Sequence, residues 1–179
     1  RHVHLTQEAV EALYGKGHKL TKKRDLSQPG EFLAEERVKI VTSKGEFANV
    51  AVLGPARKAT QVELSMTDAR ALGIDAPVRQ SGDTTATPGA TLIGPYGTAK
   101  LDSGVIIAKR HIHMTPEDAA AMQVTDKQIV KLQTFTGRPL VFDDVVVRVS
   151  PDFQTRVHLD YDEANACGFA NGDLGRILP

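Results

Sequence analysis

The sequence predicts a mainly β fold of two small barrels capped by short helices. Three observations support this class: many short runs rich in β-branched residues, few and brief helical segments, and a pattern that occurs twice. With 179 residues, the chain has room for two barrels of about 90 residues each. We therefore expect a first domain over residues 1–108 and a second over residues 109–179.

The repeated pattern is Arg-His-x-His, followed by an apolar residue and Thr, in RHVHLT (1–6) and RHIHMT (110–115). Two further segments recur in the same order, which indicates an internal duplication. TQVELSMTDARALG (60–73) returns as TRVHLDYDEANACG (155–168), and VKIVTSKGEFANV (38–50) returns as VKLQTFTGRPLVFDDV (130–145). The first copy contains an additional basic and polar stretch at about 14–35, which we interpret as an excursion from the core because Gly and Pro interrupt it.

The individual elements follow from local patterns. Thr6 and Thr115 are predicted N-caps of the helices QEAVEALYG and PEDAAAM, with Pro116 at the first helical position. TDARALG and DEANACG form a second pair of short helices that end at Gly73 and Gly168. Strands bounded by Gly, Pro, Asp or Ser are predicted for VKIVTS, FANVAVLG, TQVELS, ATLIG, GVIIAKRHIHM, QIVKLQTF, PLVFDDVVVRVS and TRVHLDY.

Composition argues against several classes of protein. The formal net charge is zero, so nucleic acid is not an expected partner. No apolar run reaches the roughly 18–20 residues that cross a bilayer, so a membrane is not expected either. The single cysteine, Cys167, cannot form an intrachain disulfide and is predicted to be a small buried residue of a protein from a reducing compartment.

The duplicated histidines predict metal binding. Residues i and i+2 of a strand point to the same face, so each His-x-His aims two imidazoles at one point. Positions 63 and 158 are equivalent in the repeat and supply a third ligand to each pair. The predicted ligands are His2, His4 and Glu63 in one set, and His111, His113 and His158 in the other. Only His18 lies outside this equivalence.

Three nitrogen or oxygen ligands without cysteine are typical of catalytic zinc, although cobalt, manganese and iron accept the same ligands. A lone His-x-His is more often a locally hydrogen-bonded pair, and a cupin is a minor alternative for this pattern.

Candidate substrate-binding residues lie near these positions. Arg57 and Lys58 follow a Gly-Pro turn and precede Glu63, where a cation suits phosphate or carboxylate; a solvated surface arginine is the alternative. Arg79 and Ser81 lie in the loop APVRQSGD, and Asn165 lies in the last predicted helix. No nucleophile elbow, P-loop or dinucleotide fingerprint is present in the sequence.

Nearly the whole chain resembles the PduL-type phosphotransacylases, also called phosphate propanoyltransferases. The resemblance rests on RHVHLT, LTKKRDLSQPGEF, LGPARKATQVELS, TDARALGIDAPVRQSGD, AKRHIHMTPEDA and HLDYDEANA. It implies exchange of coenzyme A and phosphate on a short acyl group, on two β-barrels with two zinc ions near their interface. It also implies that the six residues above are the metal ligands and that Arg57 contacts phosphate.

The resemblance carries further expectations. Coenzyme A and acyl phosphate are the expected partners, with Lys22, Lys23, Arg24, Arg79 or Arg138 holding the nucleotide. A homodimer is one oligomeric state compatible with the family. The expected location is the bacterial cytoplasm, or a microcompartment lumen reached through an N-terminal peptide that binds shell or cargo. The competing functions are a metal-dependent hydrolase of phosphoesters or thioesters and a non-enzymatic, zinc-stabilised binding module.

Overall fold

Two mixed β-sheets and four short helices make up the computed structural model, which describes residues 1–178. The fold is mainly β, as the sequence predicts. The chain divides into two compact units: the first unit is Arg1–Ala108, and the second unit runs from Lys109 to the end of the described chain. No helix within residues 1–178 has the length and apolar character needed to cross a bilayer.

The first unit is built on a nine-stranded sheet. It comprises β1 (His2–His4), α1 (Gln7–Tyr14), β2 (Lys22–Asp25), β3 (Phe32–Val41), β4 (Glu46–Gly54), β5 (Gln61–Leu64), α2 (Met66–Leu72), β6 (Val78–Arg79), β7 (Ala90–Ile93), β8 (Thr98–Leu101) and β9 (Val105–Ala108). The hydrogen-bonded order is β6-β9-β5-β1-β4-β3-β7-β8, with β2 added to β3. The short β1 therefore lies inside the sheet, and its Val3 is fully buried in the core.

The second unit has a five-stranded sheet and a smaller core. It comprises β10 (His111–Met114), α3 (Pro116–Ala121), β11 (Ile129–Phe135), β12 (Val141–Val149), β13 (Arg156–His158), α4 (Tyr161–Cys167) and β14 (Leu174–Leu178). The strand order is β13-β10-β12-β11-β14. Within the described chain, the end strands of each sheet do not pair with each other, so the sheets are half-barrels rather than the closed barrels that the sequence predicts.

The strands that carry the His-x-His pairs have the same neighbours in both units. β1 pairs in parallel with β4 and antiparallel with β5, and β10 pairs in parallel with β12 and antiparallel with β13. Both strands lead directly into a helix. Thr6 and Thr115 cap these helices as predicted, each accepting a hydrogen bond from the backbone N–H three residues later.

The ends of the second helix pair also confirm the sequence-based prediction. α2 ends at Gly73 and α4 ends at Gly168, and both glycines have left-handed backbone angles, with φ of 63° and 65°. A residue with a Cβ would be strained there, which is why glycine ends these helices.

The predicted strand GVIIAKRHIHM is divided in two. β9 ends at Ala108 and pairs within the first unit, whereas β10 begins at His111 within the second. The two residues between them lie outside both strands, and their side chains form ion pairs: Lys109 with Asp144 at 2.8 Å, and Arg110 with Glu163 at 2.5 Å.

The excursion at 14–35 contains a strand, β2, which extends the first sheet by pairing with β3. His18 connects the excursion to the rest of the unit. Its Nε2 lies 2.7 Å from Oε1 of Glu36, and its backbone carbonyl accepts a hydrogen bond of 2.7 Å from the amide of Gln7. His18, the histidine outside the repeat, is therefore held by Glu36.

The two units share a β-bulge at the same place. Asn49 in β4 and Asp144 in β12 are 95 positions apart and have φ of 58° and 54°. The register against the neighbouring strand shifts by one residue beside each of them. Asn and Asp tolerate this left-handed conformation better than other residues with a side chain, which explains their presence in the middle of a strand.

Candidate metal centres

The first cluster consists of His2, His4 and Glu63. His2 and His4 share a face of β1, and the register of the antiparallel pair places Glu63 directly opposite His2. Nε2 of His2 lies 3.4 Å from Oε2 of Glu63, and Nε2 of His4 lies 3.7 Å from its Oε1. The candidate ligand atoms of the three residues all lie within 4.8 Å of one another, a spacing that one metal ion could bridge.

The protonation states of this cluster suit a cation. Burial, followed by the positive charges of His2 and Arg57, lowers the pKa of His4 to about 3. Burial alone would raise the pKa of Glu63, but its hydrogen bonds with His2 and Ser81 and its contact with the positive charge of His2 hold it well below its usual range. The cluster therefore presents a neutral imidazole and an ionised carboxylate, which are the forms that bind metals.

Two side chains hold one oxygen of the Glu63 carboxylate. The amide of Gln61 donates to Oε1 at 2.5 Å, and the hydroxyl of Ser81 donates to the same oxygen at 2.9 Å. Gln61 also donates to Ser81 Oγ at 2.9 Å, and its own carbonyl accepts from the backbone N–H of Gly82 at 2.8 Å. Because these donors occupy Oε1, the carboxylate is oriented to offer Oε2 to a ligand.

Arg57 lies at the end of the same network. Its Nη1 donates to Ser81 Oγ at 3.3 Å, and its Nη2 donates to Oε1 of Glu31 at 2.6 Å. Two hydrogen bonds thus connect the guanidinium to Glu63 through Ser81. A guanidinium has five N–H donors, so Nε and the remaining Nη hydrogens are not used by these two contacts. Arg57 can hold an anion beside the first cluster.

The second cluster consists of His111, His113 and His158, whose candidate ligand atoms also lie within 4.8 Å of one another. His111 and His158 are cross-strand partners with parallel rings at a centroid distance of 4.7 Å. The Nδ1 of His111 contacts the carbonyl oxygen of Lys109 at 2.9 Å, so its Nε2 faces away from that bond. Burial, then the charges of His158 and His111, lowers the pKa of His113 to about 3.

Buried ring nitrogens without a hydrogen-bond partner, together with the donor types, indicate whether the clusters fit a metal ion. Nε2 of His113 and Nδ1 of His4 have no hydrogen-bond partner among residues 1–178, and no other buried side-chain nitrogen or oxygen there is without one. A buried polar atom without a partner costs about 1–3 kcal/mol. Nε2 of His113 is such an atom in the second cluster, whereas in His4 the nitrogen without a partner is Nδ1, and Nε2 is the nitrogen that lies 3.7 Å from Glu63. Every candidate ligand atom is nitrogen or oxygen, and on that ground both clusters fit a divalent transition metal.

An arginine anchors each His-x-His strand. Arg1 forms two hydrogen bonds with Asp68, of 2.9 and 2.6 Å, and lies 3.9 Å above the ring of Phe47. Arg110 makes a similar but looser set of contacts in the second unit: its Nη1 donates to Glu163 at 2.5 Å, its Nε donates to the Asp143 carbonyl at 2.8 Å, and its guanidinium carbon lies 5.7 Å from the Phe142 ring centroid. In both units, the acidic partner lies in the helix that follows the third ligand of the cluster. The anchor therefore connects the strand with two candidate ligands to the segment with the third.

The remaining sequence candidates are dispersed. Lys58 and Asn165 are exposed, and Arg79 pairs with Asp83 at 3.6 Å. Of the basic residues considered for the nucleotide, Lys22 pairs with Asp25 and Lys23 with Glu35. Only Arg57 and Ser81 of the substrate-binding candidates contact the first cluster or its network. Cys167 is fully buried, as predicted.

Sequence reasoning missed several residues of the site. Gln61 and Glu31 carry no pattern of their own, so only the fold reveals them. The anchors could have been found, because arginine, acid and phenylalanine recur at repeat-equivalent positions: Arg1, Asp68 and Phe47, and Arg110, Glu163 and Phe142.

Comparison with known proteins finds one family along most of the chain. A family model described as phosphate propanoyltransferase matches residues 1–170. A phosphate propanoyltransferase of Listeria monocytogenes is 57% identical over 178 residues, which cover 99% of this chain and 84% of that protein. Proteins of the same name from Enterococcus faecalis and Thermotoga maritima are 56% and 54% identical over 178 and 179 residues, covering 99% of this chain and 84% and 85% of those proteins. The similarity extends over both clusters.

Proposed function

The chain belongs to the phosphate propanoyltransferase family and is therefore a phosphotransacylase; we propose that its two histidine clusters are the zinc centres at which it transfers a propanoyl group. The reaction is acyl-CoA plus phosphate to acyl phosphate plus coenzyme A. A phosphate oxygen forms a bond to the thioester carbonyl carbon, the carbon–sulfur bond breaks, and the sulfur leaves with the electron pair as the thiolate of coenzyme A.

The observation that carries the proposal is the path from Arg57 through Ser81 to Glu63. It connects a partly exposed cation with free N–H donors to a carboxylate that fits as a metal ligand. Phosphate is the substrate that such an arrangement suits, because a guanidinium can hold two of its oxygens at once. Arg57 then binds and orients phosphate. Ser81 holds the guanidinium beside Glu63, because its hydroxyl accepts from Arg57 and donates to Glu63.

His2, His4 and Glu63 would hold one zinc ion, and His111, His113 and His158 would hold the other. Bound zinc would supply Lewis acidity for developing negative charge. The chain itself has to bind the reactants and exclude competing attack by water. A protein nucleophile is not needed: Cys167 is buried and donates to the carbonyl of Ala164 at 3.4 Å, and the hydroxyl hydrogen of Ser81 is used by Glu63.

We also infer that the two units derive from one duplicated ancestor. The common strand neighbours, the equivalent bulges at Asn49 and Asp144 and the two arginine anchors support this inference. A homodimer and a microcompartment location remain predictions of the resemblance.

One experiment tests the proposed activity. Zinc-loaded protein is incubated with propanoyl phosphate and coenzyme A, and both thioester absorbance and released phosphate are followed. We expect thioester and phosphate in equal amounts. Phosphate without thioester would instead identify a hydrolase, and no reaction would identify a binding module. The His18→Ala variant should form thioester and phosphate as wild type does, because that histidine lies outside both clusters.

A further inference from the structure

We propose that Arg148 and Arg156 form a second anion-binding site, beside the cluster of His111, His113 and His158, which takes a phosphoryl group of one of the substrates. This inference deepens the proposed function and rests on it for the choice of ligand. Neither arginine carries a sequence signal, and both lie outside the six ligands and the Arg57 network.

The strand register places both arginines on the face of the histidine cluster. His113 lies opposite Arg148 of β12 and opposite Arg156 of β13. Directly opposed residues of neighbouring strands project from the same face of a sheet. β10 lies between the other two strands, so the two arginines flank His113. Neighbouring strands are about 4.8 Å apart, which puts the backbones of the two arginines roughly 10 Å apart. Two arginine side chains span that gap readily.

A ring stack connects Arg148 to the cluster. Phe153 stacks on the His113 imidazole, with ring centroids 4.0 Å apart and planes at 22°. The guanidinium carbon of Arg148 lies 5.9 Å from the centroid of the same Phe153 ring. Phe153 therefore covers one side of His113 and borders the position of the guanidinium.

Neither charge is neutralised within the described part of the chain. Arg148 and Arg156 have no salt bridge and no side-chain hydrogen bond there, whereas nearby cations do: Lys109 with Asp144, Arg110 with Glu163 and Lys131 with Asp143. Two arginines that flank one imidazole on the same face of a sheet repel each other unless an anion lies between them. The uncompensated pair points to an anionic ligand.

The first unit has no such pair, which indicates a specialised role. There, the positions opposite His4 are Leu53 and Gln61, both uncharged. Its cation, Arg57, comes instead from the loop after β4. The corresponding loop of the second unit contains Asp152 and Phe153, so the second unit supplies positive charge from its strands rather than from its loop.

A phosphoryl group fits this pair best, because its several oxygens accept from two guanidinium groups at once. It could come from phosphate or acyl phosphate, or from the phosphates of coenzyme A. The test distinguishes these sources by titration calorimetry. Inorganic phosphate, propanoyl phosphate, coenzyme A and dephospho-coenzyme A are titrated into zinc-loaded wild type, Arg148→Ala, Arg156→Ala and the double variant. Arg176→Ala, an arginine of the same unit on β14, is the matched control.

We expect the double variant to bind one class of ligand at least tenfold more weakly, and the wild-type affinity for that class to fall with added salt. Weaker binding of phosphate and propanoyl phosphate assigns the site to the reacting group. If only coenzyme A binds the double variant more weakly than wild type, the site holds the nucleotide. If wild type and double variant then bind dephospho-coenzyme A equally well, the site holds the 3′-phosphate. Lysine variants at both positions should recover part of the affinity.

Unchanged affinity for all four ligands, or an equal loss in Arg176→Ala, would overturn the proposal. Thermal unfolding of each variant identifies any that does not fold, and the lysine pair then replaces it. Binding is measured without turnover, so the outcome is separate from the proposed function. A wild type that binds phosphate through this pair but forms no thioester would contradict only the transferase proposal.

Discussion

His4 and His113 are the most buried imidazoles of their clusters, and each has a ring nitrogen without a hydrogen-bond partner among residues 1–178. We expect His4→Ala and His113→Ala each to weaken metal binding more than about 100-fold, since even the loss of a residue that only orients a ligand costs 10- to 100-fold. Chelator competition measures this affinity directly. His18→Ala should match wild type, because His18 pairs with Glu36 instead. An equal loss in all three variants would refute the ligand assignment.

Arg57 is the residue whose substitution should separate the two substrates. Arg57→Ala should raise the KM for phosphate or acyl phosphate about 10- to 150-fold, which corresponds to about 1.5–3 kcal/mol for a hydrogen bond to a charged group. The KM for acyl-CoA should change little. Arg57→Lys should recover only part of the lost affinity for phosphate or acyl phosphate, because the point charge of lysine lacks the bidentate geometry of a guanidinium. Saturation curves in each substrate check this. An unchanged phosphate constant with a raised acyl-CoA constant would place Arg57 at the nucleotide instead.

The two candidate ligand sets follow from residue spacing, whereas the residues that orient them do not. His-x-His on a strand and the equivalence of positions 63 and 158 were sufficient to predict which six side chains meet in two clusters. Gln61 lies on the same strand as Glu63 and Ser81 in a loop eighteen positions beyond it, and only the fold brings their donors to one carboxylate oxygen. Long-range hydrogen bonds of this kind leave no periodic trace in a sequence.

At the scale of elements, the arginine anchor connects the start of strand β10 to helix α4, and so two candidate ligands of the second cluster to the third. Arg110→Ala should weaken metal binding at the second centre about tenfold, as for other residues that orient a ligand. Glu163→Gln should have a similar effect while keeping an acceptor for the capping box with Asp160. The double variant should be no worse than either single one, because both remove the same contact. Chelator competition on protein with only this centre loaded provides the measurement. Additive losses in the double variant would contradict the anchor.

Helix ends were predictable and strand ends were less so. Thr6, Thr115, Gly73 and Gly168 mark helix boundaries through their own side chain or backbone preference, and the structure confirms them. The break after Ala108 was not predictable from the apolar run. It lies where the chain changes its strand partners, from β5 and β6 in the first sheet to β12 and β13 in the second, and these partners are set by segments far along the chain.

At the scale of the whole molecule, the neutral histidines should make the metal-free protein sensitive to mild acid. The pKa of His4 and of His113 is about 3 in the folded chain, against an ordinary value of about 6.5 when unfolded. The unfolded chain then binds more protons below pH 6.5, so the free energy of unfolding is highest above that pH and falls towards pH 3. Urea unfolding at pH 7.5, 6 and 5 checks this. A matched His4→Gln, His113→Gln variant should show a shallower dependence, and equal slopes would contradict the explanation.

Metal content is a further property of the intact chain. Each cluster has three candidate ligands of nitrogen or oxygen, so we expect about two zinc ions per chain in protein purified without chelator. Elemental analysis of active enzyme provides the measurement. His113→Ala should retain about one, because the first cluster shares no ligand with the second. Full activity with a single ion per wild-type chain would exclude the two-centre arrangement.

The buried thiol of Cys167 can be used to measure local opening of the second unit. A maleimide or disulfide reagent can reach this fully buried sulfur only when the end of α4 opens locally, away from Thr136 and Arg138, which donate hydrogen bonds to the Cys167 carbonyl. The labelling rate under native conditions therefore measures the population of that opened form. Since His158 leads directly into α4, a cation bound at the second cluster should close this motion. The protection that metal adds, read as a slower labelling rate, would give its affinity for that cluster alone, without any assay of turnover.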